Sequence, residues 1–185
     1  THEHDGSETA EEHAHAVNEH IWMSPARYAR QVENLRDALA EADPAHAAAY
    51  RANAERYLAQ VREMEVRASR LSQALAGRDC ATFHDSAAYL AADLSLHVTA
   101  ALSIGEESGA SAGELAAAAD ALRGRDVLLL YDGQYPVEYA YLADYASSSR
   151  TVVLDTAVKP STGADPAVRW LDAMESNLRA LENGG

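Results

Sequence analysis

The sequence predicts an α/β fold: a four-stranded, mostly parallel sheet with helices on both faces, plus a long spine helix. Three observations predict it. Four short apolar runs, at residues 80–83, 96–102, 126–131 and 151–154, alternate with helical patterns, the signature of a parallel sheet covered on both faces. One of them, DVLLLY at 126–131, is continuously apolar, as expected of a strand buried on both sides. Finally, a helical repeat follows Pro44 with no further Gly or Pro until Gly77.

The totals narrow the function. The chain has 185 residues and is 48% hydrophobic, enough for one domain with a core, or for one domain and part of another. Its net charge is -14, from 29 acidic and 15 basic residues. That excess argues against a nucleic-acid partner, which calls for a basic patch, and favours a cationic ligand. The single cysteine, Cys80, excludes an intrachain disulfide and leaves the redox compartment unread. No apolar run reaches the roughly 18 residues of a membrane span. The opening THEHDG carries no secretory leader and reads as the interior of a longer sequence.

Taken in order, residues 1–19 form a His-rich acidic loop. Including His20, five of the eight histidines fall in the first twenty residues. With few apolar side chains to bury, this tract is expected to be loosely ordered and to bind metal weakly. At His20 the character changes: Ile21, Trp22 and Met23 are suited to anchor the loop end against a core. Ser24 and Pro25 are a cap-and-proline helix start, and the helix extends to about Ala42, with Tyr28, Val32, Leu35 and Leu39 as its expected buried face. Asp43 and Pro44 open the long helix. Its roughly 32 residues at about 1.5 Å each span on the order of 48 Å, longer than one small lobe. A seam rich in Ala and Tyr suits a spine between two lobes better than a coiled-coil arm. The remaining helices are expected at 86–93, at about 112–122 behind a Ser111/Glu114 capping box, at about 136–146, and at 165–182. Residues 104–110 and 158–163 are expected loops.

The chemistry gathers at strand ends, where an open α/β sheet places its ligands. In CATFHDSAAY, at 80–89, a strand delivers His84 and Asp85 to a turn. His20 and Asp155, the latter at the end of TVVLD, complete a candidate metal set of His20, His84 and Asp155. Two neutral imidazoles and a carboxylate suit zinc, with manganese as the alternative, and the histidine-rich loop favours zinc. Asp85 is expected to orient His84 or to cap the helix that follows. His46 and His97 are read as structural, Cys80 as a small buried hydrophobe, and the tyrosines at 135, 139, 141 and 145 as packing residues.

The order of HIWMSP at 20–25, ADPAHAAAYRANAERYL at 42–58, TFHDSAAYLA at 82–91, VLLLYDGQYP at 127–136 and VVLD at 152–155 resembles the zinc- and manganese-binding solute receptors of bacterial ABC transporters, the cluster A-I type. HIWMSP fits the family's H-x-W-[LM]-[SD]-P, and TFHDSAAY resembles its T-F-H-D-A-[YF], from which it departs after Asp85, where Ser86 and Ala87 stand. The resemblance implies two α/β lobes joined by one long helix, with a metal in the cleft and His20, His84 and Asp155 among its ligands. It also implies an extracytoplasmic (periplasmic or cell-surface) receptor that catalyses no reaction and delivers the ion to a membrane permease. On this reading residues 1–19 are the His-rich loop, 20–43 the end of the first lobe, 44–76 the linking helix and 77–185 the C-terminal lobe; a further histidine would come from a first lobe outside this chain. Where the family carries EPQ, this chain has Asp132-Gly133-Gln134, which makes Asp132 an outer partner or an alternative ligand. A long linking helix is also compatible with a helix-swapped homo-oligomer.

Two rivals follow from the same residues. Two histidines, an aspartate and an open position are the inventory of a zinc hydrolase, although the sequence has no HExxH. An isolated lobe acting as a metal buffer would owe its binding to the His-rich loop alone.

Overall fold

The computed structural model describes residues 18–102, 109–135, 139–159, 165 and 168–183. The His-rich tract through residue 17, most of the 104–110 loop, the expected helix start at 136–138 and most of the 158–163 loop lie outside the described residues.

A 3-10 turn at Ile21–Met23 leads into α1, Pro25–Ala42. Ser24 caps α1 as the sequence requires: its side chain accepts from the Arg27 N–H, and Pro25 occupies the first turn, where a missing N–H costs nothing. A second 3-10 turn, Pro44–His46, opens α2, Ala47–Leu75, a 29-residue α-helix. It stops at Gly77, whose φ of 74° is a left-handed conformation that glycine adopts without penalty.

Four strands follow: β1 (Asp79–Thr82), β2 (His97–Ala101), β3 (Asp126–Asp132) and β4 (Ser148–Leu154). They lie in the order β2-β1-β3-β4, and every pairing is parallel. The chain winds one way from β1 to β2, then crosses back to β3 and β4. The reversal therefore falls between β1 and β3, whose carboxyl ends carry Thr82 and Asp132. That switch point is where a parallel sheet opens a crevice.

The side chains of β3 alternate between two cores. Leu128 and Leu130 join Val61, Leu71, Leu90, Met174 and Leu178 on one face, under α2, α3 (Ala88–Asp93) and α5 (Arg169–Glu182). Val127, Leu129 and Tyr131 join Ala118, Leu122 and Leu142 on the other, under α4 (Ala112–Leu122). Each buried leucine contributes roughly 1.5–3 kcal/mol of transfer free energy, and β3, fully buried after Asp126, is the centre of both layers.

The structure corrects several expectations. Of the stripe expected on α1, Tyr28 and Val32 pack against the core, but Leu35 and Leu39 are 60% and 39% exposed, and the buried side chains include the small Ala29 and Ala40. The expected helix at 136–146 is, among the described residues, a 3-10 segment at Ala140–Tyr145 entered through Tyr139 at a φ of 55°. β4 begins at Ser148, three residues before its apolar run, because Ser148–Arg150 pair with Asp126–Leu128. The final helix begins at Arg169.

Candidate metal centre

His84 follows β1 in extended backbone and caps the 3-10 turn at Asp85–Ala87, its Nδ1 lying 3.1 Å from the Ser86 N–H. His20 stands at the entry to the Ile21–Met23 turn. The next residues carry its anchor. The Trp22 indole donates to the Thr156 carbonyl at 2.9 Å, and the Trp170 indole donates to the Trp22 carbonyl at 2.8 Å. Ser24 donates to Asp93 Oδ2 at 2.6 Å, tying the start of α1 to α3. These bonds press the His20 segment onto the carboxyl end of the sheet.

The two imidazoles meet edge to face, with ring centroids 5.1 Å apart. Asp85 joins them: its Oδ1 lies 3.3 Å from His20 Nδ1 and 3.2 Å from His84 Nδ1. His20, His84 and Asp85 each offer one ligand atom within 4.8 Å of the others. Both rings are largely shielded, at 12% and 13% side-chain exposure, whereas Asp85 is 48% exposed. Two nitrogen donors and one oxygen donor in a half-buried crevice match the preferences of zinc.

Beneath His84 lies Asp132, the last residue of β3, with its side chain 1% exposed. Its Oδ2 is 3.5 Å from His84 Nδ1 and accepts from Ser86 Oγ at 2.8 Å. Its Oδ1 accepts from the Gln134 N–H at 2.8 Å and from Thr156 Oγ1 at 3.3 Å. One carboxylate thus gathers the ends of β1, β3 and β4 under the imidazole. The Tyr135 ring lies 5.0 Å from that of His84.

Asp155 stands just beyond β4 in a different set of contacts. Asn177 on α5 clamps its backbone, accepting from the Asp155 N–H and donating to its carbonyl, both at 2.8 Å. Its Oδ1 accepts from Arg169 at 2.6 Å and from the Ala157 N–H at 2.9 Å. Burial pushes its carboxyl up, but the Arg169 hydrogen bond, the Ala157 N–H and the Arg169 charge outweigh burial and hold it below the usual carboxylate range. The structure therefore brings His20 and His84 together and sets Asp85 beside them, while Asp155 is paired with Arg169. His46 bonds Asp43 and His97 bonds Asp79, both away from this crevice in exposed positions.

Three participants in the site went unremarked as such in the sequence. Ser86 and Thr156 carry no distinctive spacing, and only the convergence of strand ends reveals their shared carboxylate. Asn18 lies two residues before His20, a spacing at which an asparagine side chain can bond its own backbone, and that was the one available signal.

The chain matches the family described as "ZnuA: Zinc-uptake complex component A periplasmic" over residues 1–184. It is 29% identical to the zinc-binding protein AdcA of Streptococcus pyogenes over 160 residues, covering 85% of this chain and 29% of AdcA. It is 25% identical to the high-affinity zinc uptake system protein ZnuA of Bacillus subtilis, covering 92% of this chain and 54% of that protein. The chain thus spans about a third to a half of the length of these relatives. Among solved structures, the binding protein FpvC of Pseudomonas aeruginosa in complex with Mn2+ superposes with a TM-score of 0.74 at 24% identity, covering 91% of this chain and 65% of FpvC. The periplasmic zinc-binding protein TroA of Treponema pallidum superposes with a TM-score of 0.66 at 16% identity, covering 89% and 62%. Given the match along nearly its whole length, this chain belongs to the ZnuA family of periplasmic zinc-uptake components.

Proposed function

We propose that this chain is part of an extracytoplasmic receptor that captures zinc and presents it to a membrane permease of the ABC type, without catalysing a reaction. The observation that carries the reading is the meeting of His20 and His84 at the switch point of the sheet, 5.1 Å between ring centroids, with a carboxylate oxygen against both rings. His20, His84 and Asp155 hold the ion. Asp85 faces Nδ1 of His20 and helps to orient that ring; Nδ1 of His84 accepts from the Ser86 N–H, and Asp132 holds this arrangement through the Ser86 hydroxyl. For Asp155 to ligate, its carboxylate must exchange Arg169 for the ion. The proximity of Asp85 favours a second reading in which Asp85 is itself the carboxylate ligand.

Residues 1–19 collect ions, 20–43 close the first lobe, 44–76 link the lobes and 77–185 form the second lobe. Manganese is the alternative cargo. The relatives named for zinc binding and zinc uptake support this reading. A helix-swapped assembly of α2 between copies is one arrangement in which the receptor can exist, read out by its mass in solution.

The test is a calorimetric zinc titration of the full chain with His2, His4, His13 and His15 replaced by Gln, beside the same protein carrying His84→Ala. One tight site that disappears with His84→Ala is expected. Binding that is unchanged by His84→Ala, or that vanishes with the four Gln replacements alone, overturns the reading and leaves a metal buffer. Separate Asp155→Asn and Asp85→Asn versions identify the carboxylate ligand. Because imidazole binds metal only when neutral, affinity is expected to fall steeply between about pH 7 and about pH 5.

A further inference from the structure

The Asn18 side chain makes three hydrogen bonds around His20. Its side-chain Nδ2 donates to the Asp85 carbonyl at 2.8 Å. A carbonyl oxygen only accepts, so the amide group facing it must be the NH2. The amide oxygen then points the other way, where the His20 backbone N–H, which only donates, meets it at 3.0 Å. These two bonds determine the orientation of the amide independently of each other. The same Oδ1 lies 2.9 Å from Nδ1 of the His20 ring. Since an amide oxygen can only accept, His20 Nδ1 must carry the hydrogen, and in the neutral ring Nε2 then carries the lone pair. The backbone of Asn18 is held as well: Tyr89 Oη donates to its carbonyl at 2.9 Å.

We propose that Asn18 is a positioning residue that sets the tautomer of His20, so that the ring offers Nε2 to the incoming ion, and that it couples this ring to the His84–Asp85 turn through the Asp85 carbonyl. The inference rests on the reading of His20 as a ligand. It assigns a role to a residue that touches no ion. It also joins the two halves of the site, because a single side chain bonds both the segment that carries His20 and the turn that carries His84. Asp85 Oδ1, at 3.3 Å from His20 Nδ1, is the weaker of the two acceptors for that hydrogen.

The experiment compares Asn18→Ala with Asn18→Asp in the full chain with His2, His4, His13 and His15 replaced by Gln. Aspartate keeps an acceptor for Nδ1–H and lacks the donor to the Asp85 carbonyl, so the pair separates the two bonds. The first readout is the His20 imidazole nitrogen signals in the metal-free protein, by long-range 15N–1H correlation. The second is zinc affinity by chelator competition. Asn18→Asp is expected to keep the Nδ1–H form and to bind zinc within about threefold of the parent. Asn18→Ala is expected to lose the uniform Nδ1–H form and to bind zinc about 10–100-fold more weakly, the usual loss when an outer partner of a metal-binding histidine is removed. An unchanged Nδ1–H signal in Asn18→Ala would overturn the proposal and assign the tautomer to Asp85. Equal weakening in both variants would overturn the tautomer role and leave Asn18 acting only through its bond to the Asp85 carbonyl. His20→Ala distinguishes failure of the ligand reading: if it leaves zinc affinity intact while the nitrogen signals still separate the two Asn18 variants, Asn18 sets the tautomer of a ring that does not bind the ion.

Discussion

Asp132 Oδ2 lies 3.5 Å from Nδ1 of His84, with the aspartate side chain 1% exposed and the histidine side chain 13% exposed. A buried carboxylate that also accepts from Ser86 and Thr156 cannot be removed without orphaning those hydroxyls. Each buried polar group left unpaired costs about 1–3 kcal/mol. Asp132→Ala should therefore lower unfolding stability by a few kcal/mol in urea titration and weaken zinc binding about 10–100-fold. Unchanged stability would mean that the hydroxyls find other partners.

The Arg169–Asp155 contact makes a directional prediction. If Asp155 is the carboxylate ligand, Arg169 competes with the ion, so Arg169→Gln should tighten zinc binding while Asp155→Asn weakens it. Both are read by chelator competition. If Arg169→Gln weakens binding and Asp155→Asn leaves it unchanged, the pair is structural and the Asp85 reading is favoured.

Gly133 sits where β3 ends against β4. A Cβ there would meet the Leu154 carbonyl oxygen at 2.9 Å, and the Gly133 N–H donates to that same oxygen at 2.7 Å. The obstacle is backbone and cannot rotate away. Gly133→Ala should cost roughly 1–3 kcal/mol, measured as a lower urea midpoint, and should loosen the Asp132 end of the site. A fully stable Gly133→Ala would show that β3 and β4 can separate there at no cost.

Asp79 ties the opposite end of the sheet. It bonds His97 at 2.7 Å and Arg125 at 2.9 Å, and these hydrogen bonds, His97 first, hold its carboxyl below the ordinary value of 3.8 against a smaller upward push from burial. The unfolded chain then binds this proton more readily than the folded one, so stability rises with pH through that window and is lost as pH falls below it. Unfolding free energy measured between about pH 5 and about pH 2.5 should fall less steeply in Asp79→Asn than in the parent. Identical slopes would assign the acid sensitivity to other carboxylates.

Much of the fold was legible because its signals are local. Ser24-Pro25 and the Ser111/Glu114 box mark helix starts, and both caps form, the latter with both of its reciprocal bonds. The continuous apolar run of β3 announced a strand buried on both faces, and it is one of the two central strands. Less legible was the outer strand β4: Ser148–Arg150 are polar, and they are strand only because β3 offers them a partner. For α1 the repeat of Tyr28, Val32, Leu35 and Leu39 correctly indicated a helix. Tyr28 and Val32 pack against the core as expected, while Leu35 and Leu39 stay exposed, because periodicity says which residues share a stripe and not how far along it the cover extends.

The sequence by itself determined the α/β alternation, the long helix and the two histidines, since caps, periodicity and motif spacing act over a few residues. The neighbourhood of Asp85 and His84 is local, but that Asp85 also meets His20 and that Asp155 meets Arg169 was decided only by the tertiary structure. Asn18 and Asp85 are 67 residues apart, and Asp155 and Asn177 are 22 apart. Their meeting depends on strand order and register, which bring the ends of β1, β3 and β4 to one edge. At that edge His20 comes against Asp85 while Arg169 takes Asp155, because ion pairs form between groups that packing has already made neighbours, and no local spacing encodes these two.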